Sequence, residues 1–174
     1  MKKIAVLAVL LGSVASTEQP APDPGLKTIT QVAIVCRDID ATSRHWAAVL
    51  GVDPPQIRTT RPGGEVKMLY RGKPSNGQAK LAFLKAGQVT VELIQPVGGP
   101  SSWKEFLDAN GEGVQHVAFQ VENPEKTLAY FAGMHAPVLH QGRYDSDNGS
   151  YFYVDSKGPL GVTVELLHSD ARKR

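Results

Sequence analysis

Cysteine is nearly absent. Cys36 is the only one in 174 residues, which excludes an internal disulfide and any cluster of thiolate metal ligands. An excess of charge of one sign is missing too. The formal net charge is +2, too little for the electrostatic footprint of a nucleic-acid-binding surface. The one dense basic run, Arg172-Lys173-Arg174, closes the chain and reads as a solvated tail. Long apolar runs are lacking as well. Ile4–Leu11 is unbroken but spans only about 12 Å as a helix, so no membrane span is expected. What is plentiful is apolar surface: 41% of residues are hydrophobic, enough for a packed core and too much for a disordered chain. The length suits one ordinary domain or two fused half-size modules.

The N-terminus stands apart. Met1-Lys2-Lys3 is basic, Ile4–Leu11 is apolar, and Gly12-Ser13-Val14-Ala15-Ser16 is small-residued. This order predicts a cleavable signal peptide over 1–16 and an exported, periplasmic or secreted product. A polar, proline-rich linker follows over 17–27. In an oxidising compartment a lone thiol is best hidden, so Cys36 is expected to be buried.

The rest of the chain contains an echo. Gly113-Val114-Gln115-His116-Val117-Ala118-Phe119 reads as a strand with one histidine, and Ile29-Thr30-Gln31-Val32-Ala33-Ile34 has the same pattern 85 residues earlier, with Gln31 in the place of His116. Thr90-Val91-Glu92-Leu93-Ile94 is matched by Thr163-Val164-Glu165-Leu166-Leu167, 73 residues later. Each half therefore opens on a strand with a metal-capable side chain and closes on a strand with a glutamate.

Between these strands the signals repeat. Asp38 is a good N-cap, apolar residues from Ile39 to Leu50 recur at helical spacing, and Gly51 ends the helix. Strands are predicted at about 56–60, 66–71, 79–85 and 88–95. Ser101 caps a connecting helix over 101–110. In the second half Asn123 caps a helix that begins with Pro124, and strands follow near 137–142, 150–155 and 161–167. The order β-α-β-β-β in each half implies an α+β fold. A folded domain over 28–169 is expected, with module 1 at 28–97 and module 2 at 113–169, and the two modules form a curved half-barrel with helices outside. Alternation turns Val32, Ile34, Val91, Leu93, Val117, Phe119, Val164 and Leu166 toward the helices. Gln31, Glu92, His116 and Glu165 then face the concavity.

One imidazole, one amide oxygen and two carboxylates form a mixed nitrogen and oxygen set. It suits one divalent ion: zinc, nickel, manganese, cobalt, iron or magnesium. Two carboxylates neutralise such an ion, and a carboxylate released from it becomes a base beside a Lewis acid. That pairing fits removal of a proton next to a carbonyl. The alternative is a metal-free polar cavity that only binds a small molecule. Two glutamates amid apolar strands still need a cation, a partner or water. Arg71, Arg143, Tyr151 and Tyr153 are candidates for holding the substrate.

Four segments carry a family resemblance: Gln31 to Asp40, Val91 to Pro96, Phe106 to Phe119 with its Asn110-Gly111-Glu112-Gly113 run, and Gly161 to Leu167. Over Thr28 to His168 the chain resembles the vicinal oxygen chelate superfamily, which includes glyoxalase I, methylmalonyl-CoA epimerase, extradiol dioxygenases and resistance proteins. The resemblance puts the metal ligands at Gln31, Glu92, His116 and Glu165. It makes Glu165 the catalytic base, with Glu92 as its counterpart. It also implies a homodimer and a small carbonyl substrate. The epimerase's second catalytic glutamate has no clear match; Glu65 is nearest. The function so implied is a divalent-metal-dependent lyase or isomerase working through a metal-bound enediolate, with a metal-free resistance-type binder as the alternative.

Overall fold

Strands β1 (Ile29–Val35) and β7 (Gly113–Gln120), the two echoing segments, run antiparallel side by side in the middle of a ten-stranded sheet. The structure is a computed structural model that describes residues 23–170. The expected signal peptide and residues 17–22 of the expected linker lie outside the described residues. Among the described residues no helix is long and apolar enough to cross a membrane.

Helix α1 (Ile39–Leu50) starts where the Asp38 carboxylate accepts from the Ala41 amide at 3.0 Å, and it stops at Gly51, whose φ of 67° is left-handed. Strands β2 (Arg58–Thr59), β3 (Leu69–Tyr70), β4 (Lys73–Pro74), β5 (Gln78–Ala86) and β6 (Val89–Gly98) complete the first half. Helix α2 (Ser102–Asn110) is capped by Ser101 and links the halves. After β7, α3 (Pro124–Gly133) begins at the Asn123 cap, and β8 (Val138–Arg143), β9 (Gly149–Val154), a short α4 (Lys157–Leu160) and β10 (Thr163–Ser169) follow.

The sheet order is β2-β5-β6-β1-β7-β10-β9-β8-β3-β4. Its first eight strands are two copies of one four-stranded pattern, as the repeat predicts, curled into a half-barrel of the α+β class. The parallel registers coincide: Gln31 lies opposite Thr90 and Ala33 opposite Glu92, while His116 lies opposite Thr163 and Ala118 opposite Glu165. The convex faces are covered as alternation requires. Val91, Leu93 and Ile34 pack with Ile39 and Ala47 of α1. Val164, Leu166, Val117 and Phe119 pack with Phe131 and Leu128 of α3, and Leu26 joins this cluster. Cys36 is buried, 1% exposed.

One expectation changes. The stretch at 66–71 forms only the two-residue β3, and β3 pairs with β8 of the other half, Leu69 opposite Gln141. Residues 60–77 thus leave the β2 edge and reach the far edge of the sheet, where the Arg143 amide donates to the Val66 carbonyl at 2.8 Å. They supply Val66 and Met68 to an apolar cluster inside the concavity, to which α2 adds Trp103 and Leu107. The half-barrel is therefore plugged by the connecting helix and by this crossing segment, and a small cavity remains between them. Glycine permits the crossing. At Gly99, with φ of 64°, an added Cβ would lie 2.5 Å from the Gly77 nitrogen.

Candidate metal centre and its cavity

The registers bring Gln31, Glu92, His116 and Glu165 onto the concave face of four adjacent strands. Ala33 stands directly across from His116, and Ala118 across from Gln31. Both alanines are fully buried, and their methyl groups leave room into which the longer side chains converge. His116 Nε2 lies 3.1 Å from Glu165 Oε2 and 3.5 Å from Glu92 Oε2. Ligand atoms of Glu92, His116 and Glu165 all fall within 4.8 Å of one another. Exposure is 0% at His116, 6% at Glu92 and 4% at Glu165.

The two carboxylates are held differently. Gln31 Nε2 donates to Glu92 Oε2 at 3.0 Å, so here the amide clamps that carboxylate. Glu165 Oε2 and His116 Nε2 are buried without a hydrogen-bond partner; their 3.1 Å approach is not aligned as a bond. Buried polar atoms of this kind require a partner. A divalent cation satisfies both at once, and the donor set has the chemistry for one, so the residues present fit a metal. Burial alone would push the His116 imidazole down, but the charge of Glu165 and its contact, then those of Glu92, outweigh it and raise the imidazole to about 9. Burial pushes the Glu92 carboxyl up.

Strand alternation alone would point Gln115 outward. The structure instead shows a bulge: Ala33 pairs with His116 and Ile34 with Val114, leaving Gln115 without a partner on β1. The extra residue swings to the inner side, where it is 3% exposed and its Oε1 lies 2.6 Å from His116 Nδ1. Accepting from Nδ1–H orients the ring so that Nε2 is the atom facing the carboxylates, where its lone pair would serve a metal ion once the proton is displaced. Thr30, at the equivalent position of the first half, is bulged in the same way. Nothing in the alternation of the strand marks Gln115; the only available signal is an amide beside the histidine in an apolar run. Gln115→Leu is expected to weaken divalent-metal affinity roughly 10- to 100-fold, with Gln115→Glu restoring most of it. A competitive chelator titration reads the difference.

A cavity of about 320 Å³ lies over the cluster and is lined by Gln31, Glu92 and Glu165 together with Tyr151 and Tyr153. That volume is at the small end of the range of ligand pockets, which limits the part of a ligand it encloses to a small one. Trp103 Nε1 donates to the Tyr153 hydroxyl at 3.2 Å, and the Tyr153 ring meets His116 edge-on at 4.8 Å. Burial pushes the phenols of Tyr151 and Tyr153 up, so both are neutral hydrogen-bonding walls.

Arg71 and Arg143 are not among the residues that line the cavity. Arg71, on the turn after β3 with φ of 49°, reaches outward to Glu105 at 2.7 Å. Arg143, at the end of β8, pairs with Asp170 at 2.6 Å. Arg58 and Arg61 take the arginine positions on the cavity wall. His140, within the strand expected near 137–142, is fully buried in β8. Its Nδ1 contacts Ser102 Oγ at 2.9 Å and its Nε2 the Tyr151 hydroxyl at 3.3 Å. Burial, with the charge of His116, pushes it down to about 3, so it is a neutral strut behind the tyrosines. Glu65 faces solvent and pairs with Arg61.

Comparison with known proteins agrees with this architecture. The Bacillus subtilis (strain 168) uncharacterized protein YqjC is 29% identical over 99 residues, covering 56% of this chain and 71% of that protein. Methylmalonyl-CoA epimerase from Mycobacterium tuberculosis superposes with a TM-score of 0.61 over 85% of this chain and 91% of its own, at 17% identity. A variant of the Streptomyces coelicolor methylmalonyl-CoA epimerase, in complex with 2-nitronate-propionyl-CoA, gives 0.61 over 84% and 99%, at 24% identity. At such identities the structural likeness speaks for the fold alone. A family model matches residues 30–154, most of the chain and both halves of the repeat. On that match the chain belongs to the Glyoxalase/Bleomycin resistance protein/Dioxygenase superfamily.

Proposed function

We propose that this protein is a divalent-metal-dependent lyase or isomerase that removes a proton from carbon next to a carbonyl of a small substrate. The observation that carries the reading is the unequal treatment of two glutamates around one buried histidine. Glu92 is clamped by Gln31, whereas an oxygen of Glu165 is buried with no hydrogen-bond partner. Glu92, His116 and Glu165 would hold the ion, with Gln31 as a fourth contact once its amide turns. A bound divalent ion supplies Lewis acidity to a substrate oxygen and lowers the cost of placing negative charge there.

The chain's own groups do the rest. Glu165, less restrained than Glu92, takes the proton. Glu92 stands on the other side of His116, positioned to return a proton from the opposite direction. Trp103 and the crossing segment exclude water, which strengthens each charge interaction in the cavity. Gln115 keeps His116 from turning. Export, proposed from the N-terminal pattern, makes a small carbonyl compound or its thiol adduct a better substrate class than a CoA thioester.

The test is proton exchange. Small α-oxo and α-hydroxy carbonyl compounds, incubated in deuterium oxide with protein loaded with zinc, nickel or manganese, are expected to take up deuterium at the carbon next to the carbonyl, as followed by NMR. Glu165→Gln, which removes both the base and a ligand of the ion, is expected to abolish the exchange, as is chelation. The aromatic wall of Tyr151, Tyr153 and Trp103 favours one second reading, a metal-free protein that holds a ligand without turning it over. A wild-type chain that takes up no metal yet is thermally stabilised by such compounds selects that reading.

A further inference from the structure

We propose that the substrate carries a carboxylate a few bonds from its reacting carbon, and that Arg58 pairs with this carboxylate at the mouth of the cavity. The inference rests on the site reading above and names its substrate class. Strand β2 places Arg58 across from Leu81 of β5, and two residues further along β5 Phe83 lies across from Glu92 of β6. Arg58, Phe83 and Glu92 all line the cavity. The Arg58 guanidinium carbon sits 5.3 Å from the centroid of the Phe83 ring, so an aromatic face backs the cation and steadies its plane.

The donors of Arg58 are unengaged. Among the described residues its guanidinium forms no ion pair and no hydrogen bond. The other arginine on the wall differs: Arg61 is tied at 3.2 Å to Glu65, to Asp147 and to the Asp145 carbonyl. A guanidinium that rests on an aromatic wall with its fork unpaired, facing the same cavity as a carboxylate cluster, matches a planar carboxylate in two-point contact. Phe83, 36% exposed at the mouth, then has a role as the floor of that contact. Strands β2 and β6 are two spacings apart, about 10 Å, and the arginine side chain covers part of that distance. The remaining span corresponds to a chain of a few atoms, which is why the carboxylate lies beyond the reacting carbonyl.

The probes are 2-oxoglutarate and its 5-methyl ester. Their oxo-acid ends are identical and only the far end changes from carboxylate to neutral ester. Each is titrated calorimetrically into wild type and Arg58→Gln, with and without zinc, and zinc affinity is measured on the same samples. Wild type is expected to bind 2-oxoglutarate about tenfold more tightly than the ester, the order expected of one charge-assisted contact. The preference is expected to vanish in Arg58→Gln while zinc affinity and melting temperature stay unchanged. Equal affinity for the two probes in wild type, no binding of either, or a preference that survives Arg58→Gln overturns the assignment. Zinc affinity reports separately on the metal reading. A preference lost in Arg58→Gln without any zinc binding supports Arg58 as the anion contact and removes the metal.

Discussion

Glu165→Gln is expected to abolish stoichiometric metal binding with little change to the metal-free fold, whereas His116→Ala is expected to abolish metal binding and also to cost about 3–5 kcal/mol of stability. The outcomes differ because of what each substitution leaves behind. In the wild-type chain the imidazole stands 3.1 Å from Glu165 and 3.5 Å from Glu92, with all three groups nearly inaccessible to water. Raised to about 9, the metal-free imidazole is a cation at neutral pH. Alanine removes that cation and leaves two carboxylates in one low-dielectric space, which must protonate or separate. Glutamine at position 165 removes one buried charge, keeps its volume and leaves Glu92 facing a cationic His116. Dialysed wild type is expected to retain one divalent ion per chain by elemental analysis, and both variants none. Chemical denaturation of the metal-free forms then orders them, with His116→Ala least stable. A wild type that retains no ion after loading with zinc, manganese and nickel ends the metal reading. A His116→Ala variant as stable as wild type would show that the three groups are not coupled.

That cluster was legible in the sequence for a specific physical reason. Side chains alternate strictly along a strand, and a repeated module repeats its register. Gln31 and His116, then Glu92 and Glu165, had to reach the same face once two like modules lay side by side. The caps at Asp38, Ser101 and Asn123 were legible because capping is a local hydrogen bond. What could not be read depends on contacts far apart in the chain. Alternation places Gln115 outside, and only the pairing of β7 with β1 creates the bulge that brings it in. Residues 66–71 have strand-like composition, but nothing local says that Leu69 will pair with Gln141 in the opposite module. The same crossing decides the fate of the arginines. Arg71 is carried to the outer surface, where Glu105 holds it, and Arg58 stays on the rim. His140 lies in a stretch with weak periodicity, and its burial follows from Trp103 and Ser102 of α2 closing over it.

Metal-free protein is expected to lose stability as the pH rises from about 6.5 to about 9, and metal is expected to reverse that slope. The sign follows from His116. Its folded value, about 9, lies above the ordinary value of 6.5 that it regains on unfolding. Folding therefore binds a proton across that window. The stabilisation is complete below about 6.5 and is lost as the pH climbs through about 9. At 1.36 kcal/mol per unit the upper size of the effect is about 3 kcal/mol, or roughly 5–10 °C in melting temperature for a domain of this size. The raised Glu92 carboxyl has the same sign, since burial makes the folded chain keep that proton to a higher pH than the unfolded chain does. A metal ion competes with the proton on Nε2. Its apparent affinity is expected to rise about tenfold per pH unit until the imidazole's own titration is passed, and each ion bound near neutral pH is expected to release about one proton. Melting temperatures with and without zinc at pH 6, 7.5 and 9 give the comparison: the two curves should lie close together at pH 6 and diverge upward. Metal-free melting temperatures that stay level across that range, or zinc uptake without proton release, would mean that His116 is neutral in the folded chain. The imidazole would then be held by Gln115 alone, and its closeness to the two carboxylates would carry no charge interaction.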